Sequence, residues 1–321
     1  FIGGVSNVLN SLYYGLILSG KFNKILSSFN TYIINGYRNS ISATSTYSTV
    51  INGKRNLIKG NSTLSTIENG YLNQMNLATY SSVINGRSNT GSSKYTVVVN
   101  GLNNFATGYF GLVGNGVNNR NVNTDTKYSL ILNGKENRIS QSIHYLTANP
   151  FISDFGTVVN GYSNHVMFNY STVLNGSDNH ANGAFNLILN GDSNKTNNNH
   201  EVQTATTVIN GLNNSAKHNY ATIVNGALNR IETSFGFIGN GYFNQVPSQG
   251  YFGTVLNGRL NNAQGGYFNQ IFNGNTNRIL GISIRFNSIG NGQYNNIANN
   301  TSGVTILGGS FNSAQTSYGL I

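Results

Sequence analysis

Apolar and polar positions along this chain follow one short pattern that repeats from end to end. In Tyr47-Ser48-Thr49-Val50-Ile51-Asn52-Gly53 a ring, a small residue, Thr and two aliphatics lead into an Asn-Gly pair. Two polar positions, Lys54 and Arg55, then precede a fixed Asn56. Nineteen glycines, from Gly4 to Gly309, have an Asn three residues later. Successive glycines are mostly 15 to 18 residues apart, with longer gaps of 27 after Gly134 and 20 after Gly191. Repetition at so short a period marks one structural unit stacked on itself.

The positions before the glycine alternate. Val or Ile stands three before it in every copy but the first, and five before it the residue is nearly always small, as at Ser48, Ser81, Gly111 and Gly253. With the Asn that usually precedes the glycine, these form one face of a period-two strand. The other face carries an aromatic residue six before: Tyr47, Tyr80, Tyr95, Phe110, Tyr128, Phe155, Tyr170, Phe185, Tyr220, Phe235, Phe252, Phe268 and Phe286. Thr or Leu four before and Leu, Ile or Val two before continue that face. Five after the glycine comes a second apolar site, seen at Ile25, Ile58, Met75 and Ile139, from which Gly91, Asn121 and Thr196 depart.

Asn-Gly between apolar runs is also the signature of a type I′ hairpin, which would make the chain an antiparallel meander. A hairpin arm alternates at once after its turn. Here pairs such as Lys54-Arg55, Ser177-Asp178 and Asn275-Thr276 intervene. The expectation is therefore an all-β parallel β-solenoid of about 19 rungs of 15–18 residues. It forms one continuous repeat domain over 1–321, a slice of a longer protein, with insertions near 140–155 and 196–204. Rungs stack about 4.8 Å apart, so each position recurs as a column. Asparagine amides both donate and accept along such a column. The expected structural ladder includes Asn52, Asn56, Asn85, Asn89, Asn100, Asn104, Asn175, Asn179, Asn225 and Asn229.

A coil this short is too thin to enclose the small and aliphatic columns and the rings as well. The rings then point outside, and so long an exposed apolar stripe is an aggregation hazard unless a partner covers it. Identical parallel chains are the expected cover, with a homotrimer the favoured form and the aromatic column as interface.

Composition narrows the functional classes. Only 8% of residues are charged, about a third of the usual share. The 18 basic and 8 acidic residues give a formal +10 without a basic run, which suits weak attraction to a cell-surface glycan or acidic polymer. Basic and aromatic residues are not clustered in any one segment, which argues against nucleic acid. There is no cysteine, no apolar run long enough for a membrane span and no sign of a cofactor. The carboxylates are scattered, without the facing pair a glycosidase needs. His165 and His180 share one repeat position but lack an evident third metal ligand. The chain is read as non-enzymatic. Ligand-binding candidates are the insertions, at His144, Tyr145 and Asn149 and at Asn198 and His200, because loops on rigid scaffolds carry binding. Their plainer reading is as tolerated surface insertions.

The run Ala106-Thr107-Gly108-Tyr109-Phe110-Gly111-Leu112-Val113-Gly114-Asn115-Gly116 resembles the head repeats of trimeric autotransporter adhesins. It is more similar still to the Gly-Gly-x-x-Asn-x-Ala-x-Gly repeats of phage and large-DNA-virus fibre proteins. Ala181-Asn182-Gly183 and Ala263-Gln264-Gly265 match the same small-residue segment. The chain departs in preferring Asn-Gly to Gly-Gly and in showing no stalk or anchor. The resemblance implies a left-handed, trimerised β-roll displayed extracellularly or on a virion and used for attachment. The expected function is thus a surface fibre or adhesin segment, a stiff spacer and attachment surface on a virion or bacterial cell. The alternative is a structural subunit of an extracellular filament or sheath that polymerises end to end.

Overall fold

The computed structural model describes residues 3–10, 13–122, 128–140, 142–143, 150–151, 155–167, 170–197, 205–248, 250–264, 266–281, 285–298 and 300–321. The insertion candidates His144, Tyr145, Asn149, Asn198 and His200 lie outside them. The chain divides into two compact units, Phe1–Met167 and Phe168–Ile321. Each is an all-β parallel solenoid in which every coil adds one strand before the repeat glycine and one after it.

Like stacks on like. In the first unit Thr49–Ile51, Thr66–Glu68 and Ser82–Ile84 pair in parallel, placing Val50, Ile67 and Val83 in one column. The strands after the glycine do the same, with Ile58 beside Met75. In the second unit Val208, Ile223 and Ile238 form one such column, and Ala216 and Ile231 pair in the other ladder. This parallel copy-on-copy register rules out the hairpin meander. Among the described residues the one antiparallel pair, Ser142–Ile143 with Pro150–Phe151, falls inside the first insertion.

The core is a thin layer between the two ladders. The Val or Ile three before the glycine and the residue five after it are fully buried, as at Val50, Ile58, Ile223 and Ile231. Each aliphatic contributes roughly 1.5–3 kcal/mol. The position five before the glycine is small because the opposite wall is close. A Cβ added to Gly236 would lie 2.4 Å from Ile231 Cγ2, and one on Gly253 2.4 Å from Val246 Cγ1. Where the apolar site is broken, a neighbour fills the space. Met75 Cε and Val83 Cγ2 reach to within 3.7 and 3.5 Å of the Cβ that Gly91 lacks. Asn121 turns its amide into the gap above Gly111 and donates to Ser129 Oγ at 2.7 Å.

The corner explains the repeat signature. All nineteen repeat glycines have φ between 81° and 124°, where a Cβ is strained. At Gly101 such a Cβ would also sit 2.1 Å from the Gly116 carbonyl oxygen of the next coil. The fixed Asn three residues on is buried and ties three levels together. Asn104 Nδ2 donates to Asn100 O at 2.9 Å and to Gly116 O at 3.0 Å. Its Oδ1 accepts the Asn119 N–H at 3.1 Å, while its own N–H donates to Asn89 Oδ1 at 3.0 Å. Asn56, Asn89, Asn179 and Asn229 are placed in the same way.

The Asn before the glycine behaves differently from the face that strict alternation would give it. Asn85, Asn175 and Asn225 are exposed and Asn52 and Asn100 half-exposed. The strand ends before reaching them, and the Asn52 and Asn100 carbonyls accept from the buried ladder, while Asn85 Oδ1 accepts from Asn69 Nδ2 of the coil before at 3.2 Å.

Candidate functional site

Two outer faces of each coil differ in chemistry. Beyond the second strand the outward positions are mostly polar, for example Lys24, Ser40, Gln74 and Thr90 in the first unit, with Val8, Leu57 and Phe105 as departures. Beyond the first strand they carry a ring six before the glycine, Thr or Leu four before it and mostly an aliphatic residue two before it, and this is the surface with the strongest claim to function. Apart from half-buried Phe110, the rings at Tyr47, Tyr80, Tyr95, Tyr128, Phe155, Tyr170, Phe185, Tyr220, Phe235, Phe252, Phe268 and Phe286 are exposed.

These rings stand on left-handed backbone, from φ 51° at Tyr47 to 61° at Phe252. For a bulky residue that conformation costs about 1–2 kcal/mol. The fold gains from it twice. The N–H at this position turns back to the preceding coil, as when Phe110 donates to Lys94 O at 3.1 Å and Tyr128 to Tyr109 O at 3.0 Å. The rings also meet face to face. In the first unit Tyr80, Tyr95, Phe110, Tyr128 and Phe155 stack with centroids 4.5–5.2 Å apart and planes within 11°. In the second, Tyr220, Phe235, Phe252, Phe268 and Phe286 stack at 4.8–5.3 Å, and Tyr170 lies on Phe185 at 4.9 Å. Each contact is worth about 0.5–1.5 kcal/mol, which together with the returned hydrogen bond is comparable to the backbone strain. Leu64 interrupts the column between Tyr47 and Tyr80.

The titratable groups are dispersed. His165 Nε2 lies 2.6 Å from Ser140 Oγ in the first unit. In the second unit His180 pairs across its ladder with Lys195. Burial and then the Lys195 charge hold its imidazole below the usual value, against a smaller pull upward from Asp178. Asp192 accepts a hydrogen bond from its neighbour Ser193 at 2.8 Å. Among the described residues, no three His, Asp or Glu side chains converge to hold a metal ion. No helix among them is long and apolar enough to cross a membrane.

One group of charges was not foreseen from sequence. Glu232 Oε1 accepts from Lys217 Nζ at 2.9 Å and also from Arg230. Burial pushes the Glu232 carboxyl up, but those two hydrogen bonds and the charges behind them outweigh it and hold it low. Glu232 and His218 line an open depression of about 400 Å³ together with Tyr251 and Tyr267, which stack at 5.6 Å. The recurring Gly250-Tyr251 and Gly266-Tyr267 pairs are the signal that marked it. No protein-family model matches this chain, and no curated protein does either.

Proposed function

We propose that this chain is a non-enzymatic segment of a surface fibre or adhesin, a stiff spacer and attachment surface on a virion or bacterial cell, working as a parallel homotrimer. The observation that carries it is the contrast between the two outer faces. One is mostly polar; the other bears a stacked aromatic column beside aliphatic positions such as Leu256 and Leu307, both exposed. An apolar stripe of this kind in a coil whose interior is already full calls for a partner surface. A second copy in the same orientation repeats the column at the same spacing and so meets it coil by coil. Ordered hydrogen bonds at every corner supply the stiffness. Left-handed coiling and extracellular display belong to the same reading, through the resemblance to fibre and adhesin repeats.

Sedimentation of the intact chain tests it. The expected result is a discrete three-chain species. Replacing Phe110, Tyr128 and Phe155 together by Ser should yield single chains with their β-content intact. A monodisperse single chain before any substitution refutes the oligomer. Polymers that lengthen with concentration replace the fibre by the end-to-end filament.

A further inference from the structure

The corner just after the glycine carries a second ladder in the first unit, and its order is regular. Lys21, Tyr37, Lys54, Tyr71 and Arg87 succeed one another on adjacent coils through parallel bridges. Cation and ring alternate. Lys54 Nζ lies 5.5 Å from the centre of Tyr37 and 5.7 Å from that of Tyr71. Arg87 covers the next face of Tyr71 at 5.4 Å, and Arg38 covers Tyr37 at 5.1 Å. Arg55 Nη1 donates to the Tyr71 hydroxyl at 3.3 Å. The cations are exposed and the two rings half-buried between them.

Among the described residues nothing neutralises this ridge. Residues 21–94 hold eight Lys or Arg against the single carboxylate Glu68. The ion pairs among the described residues involve only Lys135, Lys217 and Arg230. A cation held over a ring face loses little freedom on binding an anion, because its side chain is already ordered.

We infer that this ridge is a binding surface for a linear acidic polysaccharide with one carboxylate on alternate sugars. Lys21, Lys54 and Arg87 recur on every second coil, about 9.6 Å apart given the spacing between rungs. Along that line the repeat suits a disaccharide rather than a phosphate on every residue, with Arg38 and Arg55 standing beside it against the rings. The tyrosine edges and hydroxyls between the cations offer the mixed apolar and hydrogen-bonding contact that sugar rings take. Nucleic acid fits less well, since stacking bases need open ring faces and here cations fill them. The inference stands apart from the trimer, which concerns a different column.

The test is calorimetric titration of the intact chain with a hyaluronan dodecasaccharide, in which uronate and hexosamine alternate. Binding that weakens as salt rises is expected. The triple variant Lys21→Gln, Lys54→Gln, Arg87→Gln should bind about tenfold more weakly. Arg259→Gln, Arg278→Gln, Arg285→Gln removes the same charge from the second unit and should change affinity less than about twofold. Tyr37→Leu with Tyr71→Leu, which keeps apolar bulk and loses the ring faces, should fall between. Four results overturn the inference: no binding, equal loss in both triple variants, tighter binding of a 20-nucleotide single strand, or displacement by a sulfated chain of equal length that tracks charge density alone.

Discussion

The coils around Gly36, Gly53, Gly70 and Gly86 turn their corners differently from those around Gly211, Gly226 and Gly241. In the first group the Asn before the glycine is also left-handed, with φ of 55–62° at Asn35, Asn52, Asn69 and Asn85. Its N–H points back to the preceding coil, as from Asn52 to Ile34 O at 2.8 Å. In the second group the glycine is the one left-handed member of the Asn-Gly pair, and the Asn N–H points forward, as from Asn225 to Gly239 O at 3.1 Å. The return differs too. Wider coils bury an extra small residue such as Ser45 or Ser62, whose hydroxyls donate to Ser42 O at 2.9 Å and Lys59 O at 2.7 Å. Narrower coils close in one turn, with the Ala221 N–H on His218 O at 3.2 Å. The two apolar columns, three before and five after the glycine, are the same in both. Coil length is therefore set outside those columns, chiefly in the return, and they fix only which residues recur.

That comparison breaks first at the buried ladder, where the two groups must agree. Asn56→Ala removes an amide that reaches three carbonyls and Asn229→Ala one that donates to two, and each amide also accepts one N–H. Each loss should cost about 3 kcal/mol, since buried partners are left unpaired. Stability in a stacked repeat is a local quantity, so hydrogen exchange at the neighbouring coils is the measurement. A cost at Asn229 less than half that at Asn56 would mean the shared ladder is not what holds the narrow coils.

The corner itself should separate the groups. Val in place of Asn52 must adopt φ near 55°, which should cost about 1–2 kcal/mol for a branched side chain. Val in place of Asn225 meets no such demand and should cost less than about 0.5 kcal/mol, as an exposed substitution does. Lys54 stands two residues after Asn52, so local exchange around Gly53 and polysaccharide binding by the ridge should weaken together in Asn52→Val alone. Equal effects at the two sites would refute the distinction between corners.

The inward columns were legible in the sequence because a core tolerates few residue types: aliphatics at Val50 and Ile58, a small residue at Ser48, Asn at Asn56. The outward turn of the rings was legible from volume alone. Two things were not. Strict alternation carries Asn52 and Asn225 to the inner face, whereas left-handed or turning backbone ends the strand before them, and no side-chain pattern announces that. The ridge was hidden for a different reason. Lys21, Tyr37, Lys54, Tyr71 and Arg87 stand 16 or 17 residues apart, so no single window shows a cluster; only stacking makes them neighbours. Beyond Arg87 the ladder continues at a spacing of 15 through Leu102 and Val117, where the alternation of cation and ring ends.

The polar outer face supplies the smallest expected effect. His180 lies in the second unit beside Lys195, where burial and that ammonium depress its imidazole. Above its ordinary value near 6.5 the imidazole is neutral whether the chain is folded or not, and the folded state bears no penalty. As pH falls below that value the unfolded imidazole takes its proton first, so stability declines, and the decline ends once pH is below the folded value. Lys195→Gln removes the second cause and leaves the first, so it should raise the folded value part of the way back and shrink the acid-side loss. Proton NMR of the His180 ring across pH 4 to 8 reads both, in the range where imidazole titrates. An unchanged titration in Lys195→Gln would leave burial as the only cause. A rise to or beyond the ordinary value would instead make the stacked ammonium dominant, with column charge outweighing burial even on this exposed side of the coil.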